Sequence, residues 1–468
     1  MAAALLANIA PLMFVGLVVF VLLGYPVAFA LAANGLAFAG LAMLAGQFDP
    51  ALLQALPERV YGIVANPTLL AIPFFAFMGL ILERSGMAED LLDTIGQLFG
   101  AIRGGLAYAV ILVGALLAAT TGVVAASVIA MGLISLPVML RHGYDRRLAS
   151  GVIAASGTLA QIIPPSLVLI VLADQLGAPV SAMYKGALLP GLALVGVYLL
   201  YVLGTTLLRP HAAPAMPAAA RTLHGRALLL RALTTLLPPL ALIFLVLGTI
   251  FLGIATPTEG GAMGAAGALV LALARGRLSR LQLTQALDST TRLTTFVIFI
   301  LIGSTIFTLV FRGLDGDVWV EHLFNRLPGG TVGFLLAVNV LVFVLAFFLD
   351  FFEIAFIAVP LVAPVAHKLG IDPVWFGVML AVNMQTAFMH PPFGFALFYL
   401  KSVAPRSVRT ADIYWGAIPF VLIQLVMVAV VLAFPQVVLR DAAPEASSVK
   451  DIPVDVDPDG GYLPAEWR

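Results

Sequence analysis

Long apolar runs separated by short polar stretches dominate this chain, and most runs approach the roughly 20 residues a helix needs to cross a bilayer. The pattern predicts membrane helices over Met13–Leu31, Leu36–Gln47 and Leu69–Glu83, the last preceded by the helix-starting Asn66-Pro67. The polar stretch Glu83–Gln97 reads as an amphipathic surface helix. Apolar sequence returns at Gly104–Leu140, interrupted at Thr120-Thr121-Gly122, and continues at Leu148–Leu176 and Leu188–Leu208. Further on, Leu236–Leu252 and Gly260–Ala274 turn at Thr256-Pro257-Thr258-Glu259, and Thr294–Phe311, Val332–Ala366, Val374–Leu400 and Trp415–Val438 complete the set. Between the halves, Arg209–Arg231 is rich in Pro and Ala and carries no acid, the mark of a linker. Residues 441–468 form a polar, acidic tail. Met1–Asn8 lacks the charged start of a cleaved signal, so the first span is read from Ile9 onward.

Two of these runs cannot be continuous helices. Ala160-Gln161-Ile162-Ile163-Pro164-Pro165-Ser166 and Ala387-Phe388-Met389-His390-Pro391-Pro392-Phe393 each hold adjacent prolines, which remove two N–H donors and clash with the preceding turn. Irregular backbone at membrane depth is tolerated only inside protein or beside a polar cavity, so each break is a candidate ion or substrate site. The two breaks are 227 positions apart, and at that offset Pro137 meets Pro364, Gly143 meets Gly370, Asp145 meets Asp372 and Gly86 meets Gly313. Gly104-Gly105 and Gly329-Gly330 are nearly in step, at 225.

Composition supports a polytopic membrane protein: 62% hydrophobic, 10% charged and a mean hydropathy of +1.08, against about 25% charge in soluble domains. The absence of cysteine excludes disulfides, thiolate metal sites and cysteine nucleophiles. Zero net charge without a basic patch argues against a nucleic-acid partner, and no Gly-x-x-x-x-Gly-Lys-Ser/Thr loop is present to hydrolyse ATP. Arginine sets the orientation. Arg103, Arg141, Arg146, Arg147, Arg209–Arg231, Arg275–Arg292, Lys401, Arg406 and Arg409 are assigned to the cytoplasmic side. Arg103 and Arg141 share a side only if Gly104–Leu140 enters the membrane and returns, a reentrant hairpin with its tip near Thr121-Gly122. The same count makes Val332–Ala366 a second hairpin entering from outside, with both termini outside. The two copies are then inverted, and inverted repeats with broken helices at the midplane are the pattern of secondary transporters.

The offset lays the first tip over residues 347–351, so each tip is expected to meet its own break. Carbonyls released around Ala160–Pro165, with the Thr121 hydroxyl, suit a hard cation such as sodium, and a half-helix N-terminus there suits an anionic substrate. The second copy offers Ala387, His390 and Pro392 with Asp350 at its tip. Asp350 and Glu353 are read either as intramembrane carboxylates serving a cation or a proton, or as a tip solvated from the outer vestibule. Ser156, Thr158, Gln161, Asn383 and Gln385 give polar faces to the broken helices, for substrate contact or for helix–helix hydrogen bonds.

An ordered set of motifs resembles the large membrane subunit of tripartite ATP-independent periplasmic (TRAP) transporters: Leu70-Ala71-Ile72-Pro73-Phe74-Phe75, Gly143-Tyr144-Asp145, Gly157-Thr158-Leu159 before Ile163-Pro164-Pro165-Ser166, Pro190-Gly191, Thr256-Pro257-Thr258-Glu259, Asp350, Gly370-Ile371-Asp372-Pro373 and Pro391-Pro392-Phe393-Gly394. The resemblance runs from about residue 10 to 440. It implies an all-α inverted-repeat transporter of the elevator type in the bacterial inner membrane. It also implies coupling to sodium ions with no other cofactor, a carboxylate or related small organic acid as solute, and two partners: a small four-helix membrane subunit and a periplasmic substrate-binding protein. Family sodium ligands, carried over by motif, fall on Thr121, Val123, Ala160, Ile163 and Pro165, and the offset places a second set on Asp350, Ala387, His390 and Pro392. Two departures stand out: Val123 replaces a serine of many relatives, leaving only a carbonyl, and Ala160-Gln161 stands where relatives commonly begin with glycine.

On this reading residues 1–100 are scaffold, 101–187 the first hairpin and broken helix, and 188–328 scaffold with the basic linker 209–235. Residues 329–405 are the second hairpin and broken helix, and 406–440 the last span before the 441–468 tail. Competing readings are an autonomous ion-coupled anion transporter or sodium/proton antiporter that needs no binding protein, and an intramembrane aspartyl protease, for which Asp350 has no evident membrane-embedded partner aspartate.

Overall fold

The computed structural model describes residues 9–121, 124–392 and 394–440, which are mainly helical and contain no strand. Gly122, Val123, Phe393, the 441–468 tail and the side chains of Leu22, Thr120, Thr121 and Asn325 lie outside the described residues. Helices α1 (Ile9–Leu22) and α2 (Val27–Leu44) open the chain. The single span expected over Met13–Leu31 is therefore two helices, because Gly24 adopts φ +82° and Pro26 cannot donate into a continuing turn. After α3 (Leu56–Val64), α4 (Ala71–Arg84) bends by 61° into α5 (Met87–Phe99). Helices α6 (Gly105–Thr121) and α7 (Val124–Arg141) form the first hairpin, α8 (Arg146–Thr158) and α9 (Leu167–Leu176) the first broken helix, and α10 (Val180–Leu208) follows. The second copy comprises α11 (Gly225–Phe251), α12 (Pro257–Ala274), α13 (Arg280–Gly313) and α14 (Gly316–Asn325). Its hairpin is α15 (Gly330–Leu345) with α16 (Phe351–Ile357) and α17 (Val359–Lys368), and its broken helix is α18 (Pro373–Thr386) with α19 (Phe395–Val403). Helices α20 (Thr410–Ala433) and α21 (Gln436–Leu439) end the described chain.

The repeat is visible in local detail. Asp145 caps α8 by accepting the N–H groups of Arg147 and Leu148 (2.9 and 3.0 Å), and Asp372 caps α18 from Val374 and Trp375 (2.8 and 3.0 Å). Gly143 and Gly370 both turn at positive φ, +81° and +68°. The copies interlock: α13 packs on α2 as α12 packs on α4, and α8 packs on α20 as α18 packs on α10. Glycine lets the backbones touch. A Cβ at Gly303 would lie 2.3 Å from the Ala28 carbonyl oxygen, and one at Gly151 would lie 2.1 Å from that of Gly416.

Both hairpins return to the face they start from. At the base of the first, the Leu106 N–H donates to the Tyr144 hydroxyl (3.1 Å), while Gly104 and Asp145 donate to the adjacent carbonyls of Ala213 and Ala212 (2.9 and 2.8 Å). Burial pushes the Tyr144 phenol up to about 12, so it stays protonated. At the base of the second, Phe324 of α14 packs edge-on against Phe334 of α15 (4.9 Å), and Glu321 of α14 pairs with Lys368 of α17. The two bases lie at opposite ends of α13, whose 34 residues span about 51 Å. Near its start, Gln285 accepts from Arg84 (2.6 Å) beside the arginine-rich stretch 275–292; its end joins α14.

The linker is shorter and better held than its composition predicts. Helix α11 reaches back to Gly225, and the segment before it straps α5 and the hairpin base. Met216 N–H donates to the Gly100 carbonyl (2.8 Å), and the Gln97 amide receives the Thr222 N–H (3.1 Å). Arg231 pairs with Asp93 (3.0 Å) and Arg277 with Asp90 (2.7 Å), tying α5 to α11 and to the turn after α12.

Candidate functional site

Both helices break where the prolines require. Helix α8 tightens through a 3₁₀ turn at Leu159–Gln161 and gives way to irregular backbone until α9 begins at Leu167. The segment from Ala160 to Ser166 is wholly buried, as irregular backbone at this depth must be. Among the described residues it is closed locally by the Ile162 and Ile163 N–H groups on the Leu159 carbonyl (3.1 and 3.0 Å), the Ser166 hydroxyl on the Gln161 carbonyl (2.5 Å) and the Ile170 N–H on the Ser166 carbonyl (3.3 Å). Among the described residues the carbonyl oxygens of Ala160, Ile163 and Pro165 receive no hydrogen bond. The start of the first hairpin's return helix lies against the last turn of α8 just before this break, since a Cβ on Gly157 would meet Val128 Cγ2 at 2.3 Å. Of the remaining ligands implied for this position, the Thr121 side chain and Val123 lie outside the described residues.

The second break is related in sequence but differs in hydrogen bonding. The His390 carbonyl accepts the Gly394 N–H (2.6 Å), and the Pro392 carbonyl accepts the Tyr414 hydroxyl (3.1 Å). Only Ala387 of the three has a carbonyl without a donor among the described residues. The His390 ring lies between Phe343 (4.2 Å) and Phe347 (4.5 Å), so the second tip meets its break through aromatic packing. Asp350 caps α16: its carboxylate accepts the Glu353 N–H (2.8 Å) and the Glu353 carboxylate accepts the Asp350 N–H (3.0 Å). Asparagine caps as well as aspartate, whereas alanine does not. Asp350→Ala is therefore expected to lose about 1 kcal/mol of stability, and Asp350→Asn to keep the wild-type thermal midpoint. A selective loss of sodium dependence in Asp350→Asn would instead assign the charge to a cation.

The polar residues of the broken helices meet in the core. The Gln385 amide donates to the Thr158 hydroxyl (3.2 Å), and these two side chains are themselves 227 positions apart, so the repeat axis passes between them. Gln424 donates to Thr158 and to Tyr198 (3.4 and 2.9 Å), and Asn383 donates to the carbonyl and side chain of Asn339 (2.9 Å each). Thr158, Asn383 and Gln385 thus join helices to one another. Ser156 and Gln161 are buried nearby, and the Ser156 hydroxyl and Gln161 amide have no hydrogen-bond partner among the described residues. The sequence reading missed Asn339, Tyr198 and Gln424. Asn339 and Gln424 carried a usable signal, being lone amides inside apolar runs.

None of these five polar candidates lines the cavity that lies between the tips. That cavity, about 220 Å³, is bounded by Val124 and Phe351, which begin the return helices of the two hairpins at equivalent positions. Leu167, Phe388 and Phe395 bring in both breaks, Phe296 of α13 closes a wall, and Asp350 and Tyr399 supply polar groups.

A family model described as "Tripartite ATP-independent periplasmic transporter, DctM component" matches residues 14–437. The C4-dicarboxylate TRAP transporter large permease protein DctM of Pseudomonas aeruginosa is 32% identical over 393 residues, covering 84% of this chain and 90% of that protein. The sialic acid TRAP transporter large permease protein SiaM of Vibrio cholerae is 28% identical over 417 residues, covering 89% and 94%. The crystal structure of the Alcanivorax borkumensis YdaH transporter, described as having an unusual topology, is similar with a TM-score of 0.58 at 15% identity, over 82% of this chain and 88% of that one. That last likeness is one of fold alone.

Proposed function

This chain belongs to the DctM component of tripartite ATP-independent periplasmic transporters, and from that premise we propose that it imports a carboxylate or related small organic solute by sodium coupling. The observation that carries the proposal is the buried first break, where three carbonyl oxygens receive no hydrogen bond among the described residues. A hard cation needs several oxygens at once, and the first sodium ion is placed at Ala160, Ile163 and Pro165 with Thr121 and Val123 from the tip. A second ion at Ala387, His390, Pro392 and the Asp350 tip would have to displace the Gly394 N–H and the Tyr414 hydroxyl, so it binds more weakly. The relatives' names support a carboxylate, since C4-dicarboxylates and sialic acid both carry that group.

Sodium at the breaks orders the tips and completes the solute cavity between them. The hairpins and broken helices then move as one loaded body against α1–α4 and α11–α13, with the small four-helix subunit enlarging the static side. A periplasmic binding protein delivers the solute. The test is uptake by proteoliposomes holding this chain and its small subunit, with a panel of labelled carboxylates. Uptake is expected only with both a sodium gradient and the binding protein. Uptake at full rate without sodium would defeat the coupling, and uptake without the binding protein would make the chain an autonomous carrier.

A further inference from the structure

A second recess, open and about 370 Å³, lies at the opposite end of α13 from the basic inner stretch. The last turns of α13 line it with Thr305, Thr308 and Arg312, spaced three to four residues apart and so on one helix face, and with Ser304 next to Thr305. Polar side chains in this row are unexpected on a membrane helix unless they face a wet or liganded space. Arg59 of α3 lines the same recess, and across from it stand His367 of α17 and Asp174 at the end of α9.

The charges there are unequally satisfied. Asp174 is held by the amides of Asn66 (2.6 Å) and Gln175 (3.0 Å). No hydrogen bond or ion pair engages the side chains of Arg59, Arg312 or His367 among the described residues. Ser304 already donates to the Phe356 carbonyl, leaving Thr305 and Thr308 as the available hydroxyls. Two unpaired guanidiniums beside two hydroxyls match a carboxylate, which guanidinium can hold through two parallel N–H bonds. We propose that this recess is an outward-facing carboxylate-binding cup, separate from the cavity between the hairpin tips, with Arg59 and Arg312 holding the anion and Thr305 and Thr308 donating to it.

The cup is built from both sides of a seam. Arg59 and the α13 residues belong to the helices placed in the scaffold, while Asp174 and His367 belong to the broken helix and hairpin. An anion bound there favours the present arrangement of the two sides. The carboxylate can come from the free solute or from an acidic side chain of the delivering protein, and the test separates the sources.

The chain with its small subunit, in lipid nanodiscs and potassium buffer, is treated with phenylglyoxal, and modification of each arginine is followed by peptide mass spectrometry. Succinate at about ten times its midpoint concentration is expected to slow modification of Arg59 and Arg312 about tenfold. Arg146 and Arg406 on the inner side are expected to react unchanged, and dimethyl succinate is expected to protect nothing. In a second arm, substrate-free binding protein replaces succinate. Protection in the first arm assigns the cup to the free solute, and protection in the second alone assigns it to a protein carboxylate. Unchanged rates at both arginines in both arms overturn the proposal. No gradient is needed, so this result is independent of whether sodium drives uptake.

Discussion

Replacing Pro164 and Pro165 together by alanine is expected to abolish sodium-driven uptake while the chain still inserts and purifies as a folded protein. Each proline disfavours a helix interior by about 3 kcal/mol relative to alanine. Together they bias the segment by about 6 kcal/mol, enough to shift a two-state equilibrium by about 10⁴. With alanine the helix from Arg146 can run into α9, ending at Leu176. The Ala160 carbonyl would then take the new N–H at 164, Ile163 that of Leu167, and the carbonyl at 165 that of Leu169. The three oxygens that receive no hydrogen bond among the described residues would all be consumed. The measurement is initial uptake against sodium concentration, alongside size-exclusion behaviour of the detergent-extracted protein. A folded double variant with unchanged sodium dependence would show that the break holds no coupling ion.

The second large effect concerns the joint between α8 and α20. A Cβ on Gly151 would sit 2.1 Å from the Gly416 oxygen and 2.7 Å from its carbonyl carbon, and one on Gly416 would sit 2.1 Å from the Arg147 oxygen. These neighbours are backbone, so no rotamer change relieves the clash. Gly151→Leu must push the helices apart, and with them the broken helix and the last long span. Overpacking typically costs about 1–3 kcal/mol, and a backbone clash on both sides belongs at or beyond that upper end. Loss of the monodisperse peak or a thermal midpoint lowered by several degrees is expected. Gly196→Ala is the control: a Cβ there meets nothing within 4 Å, and alanine suits a helix interior better than glycine. Equal behaviour of the two variants would mean that this contact does not hold the fold together.

Much of this architecture is legible along the chain because its causes are local. Hydrophobic run length dictates membrane helices, paired prolines dictate breaks wherever they fall, and Asp145 and Asp372 cap the helices that follow them. The division of the first span at Gly24–Pro26 is equally local, a turn set by glycine and proline inside a run whose apolar residues on both sides predict one helix. The hairpin bases were also accessible, because arginine counts constrain which segments return to the same face.

By itself, then, the sequence determined the helical class, the two breaks, the inverted repeat and the places where ions and solute were to be sought. Only the tertiary structure decided how each candidate is used. Among the described residues, equivalent carbonyls receive no hydrogen bond at Ile163 and Pro165 but are taken at His390 and Pro392, since the donors come from Gly394 and from Tyr414 on another helix. Thr158 became a joint between the two copies because Gln385 and Gln424 reach it from 227 and 266 positions away. The aromatic cavity and the outer recess were likewise beyond local reading, their walls coming from segments far apart in the chain. Proline and glycine act on their own backbone, whereas the state of a carbonyl or guanidinium depends on which distant donor or acceptor packing brings within 3 Å of it.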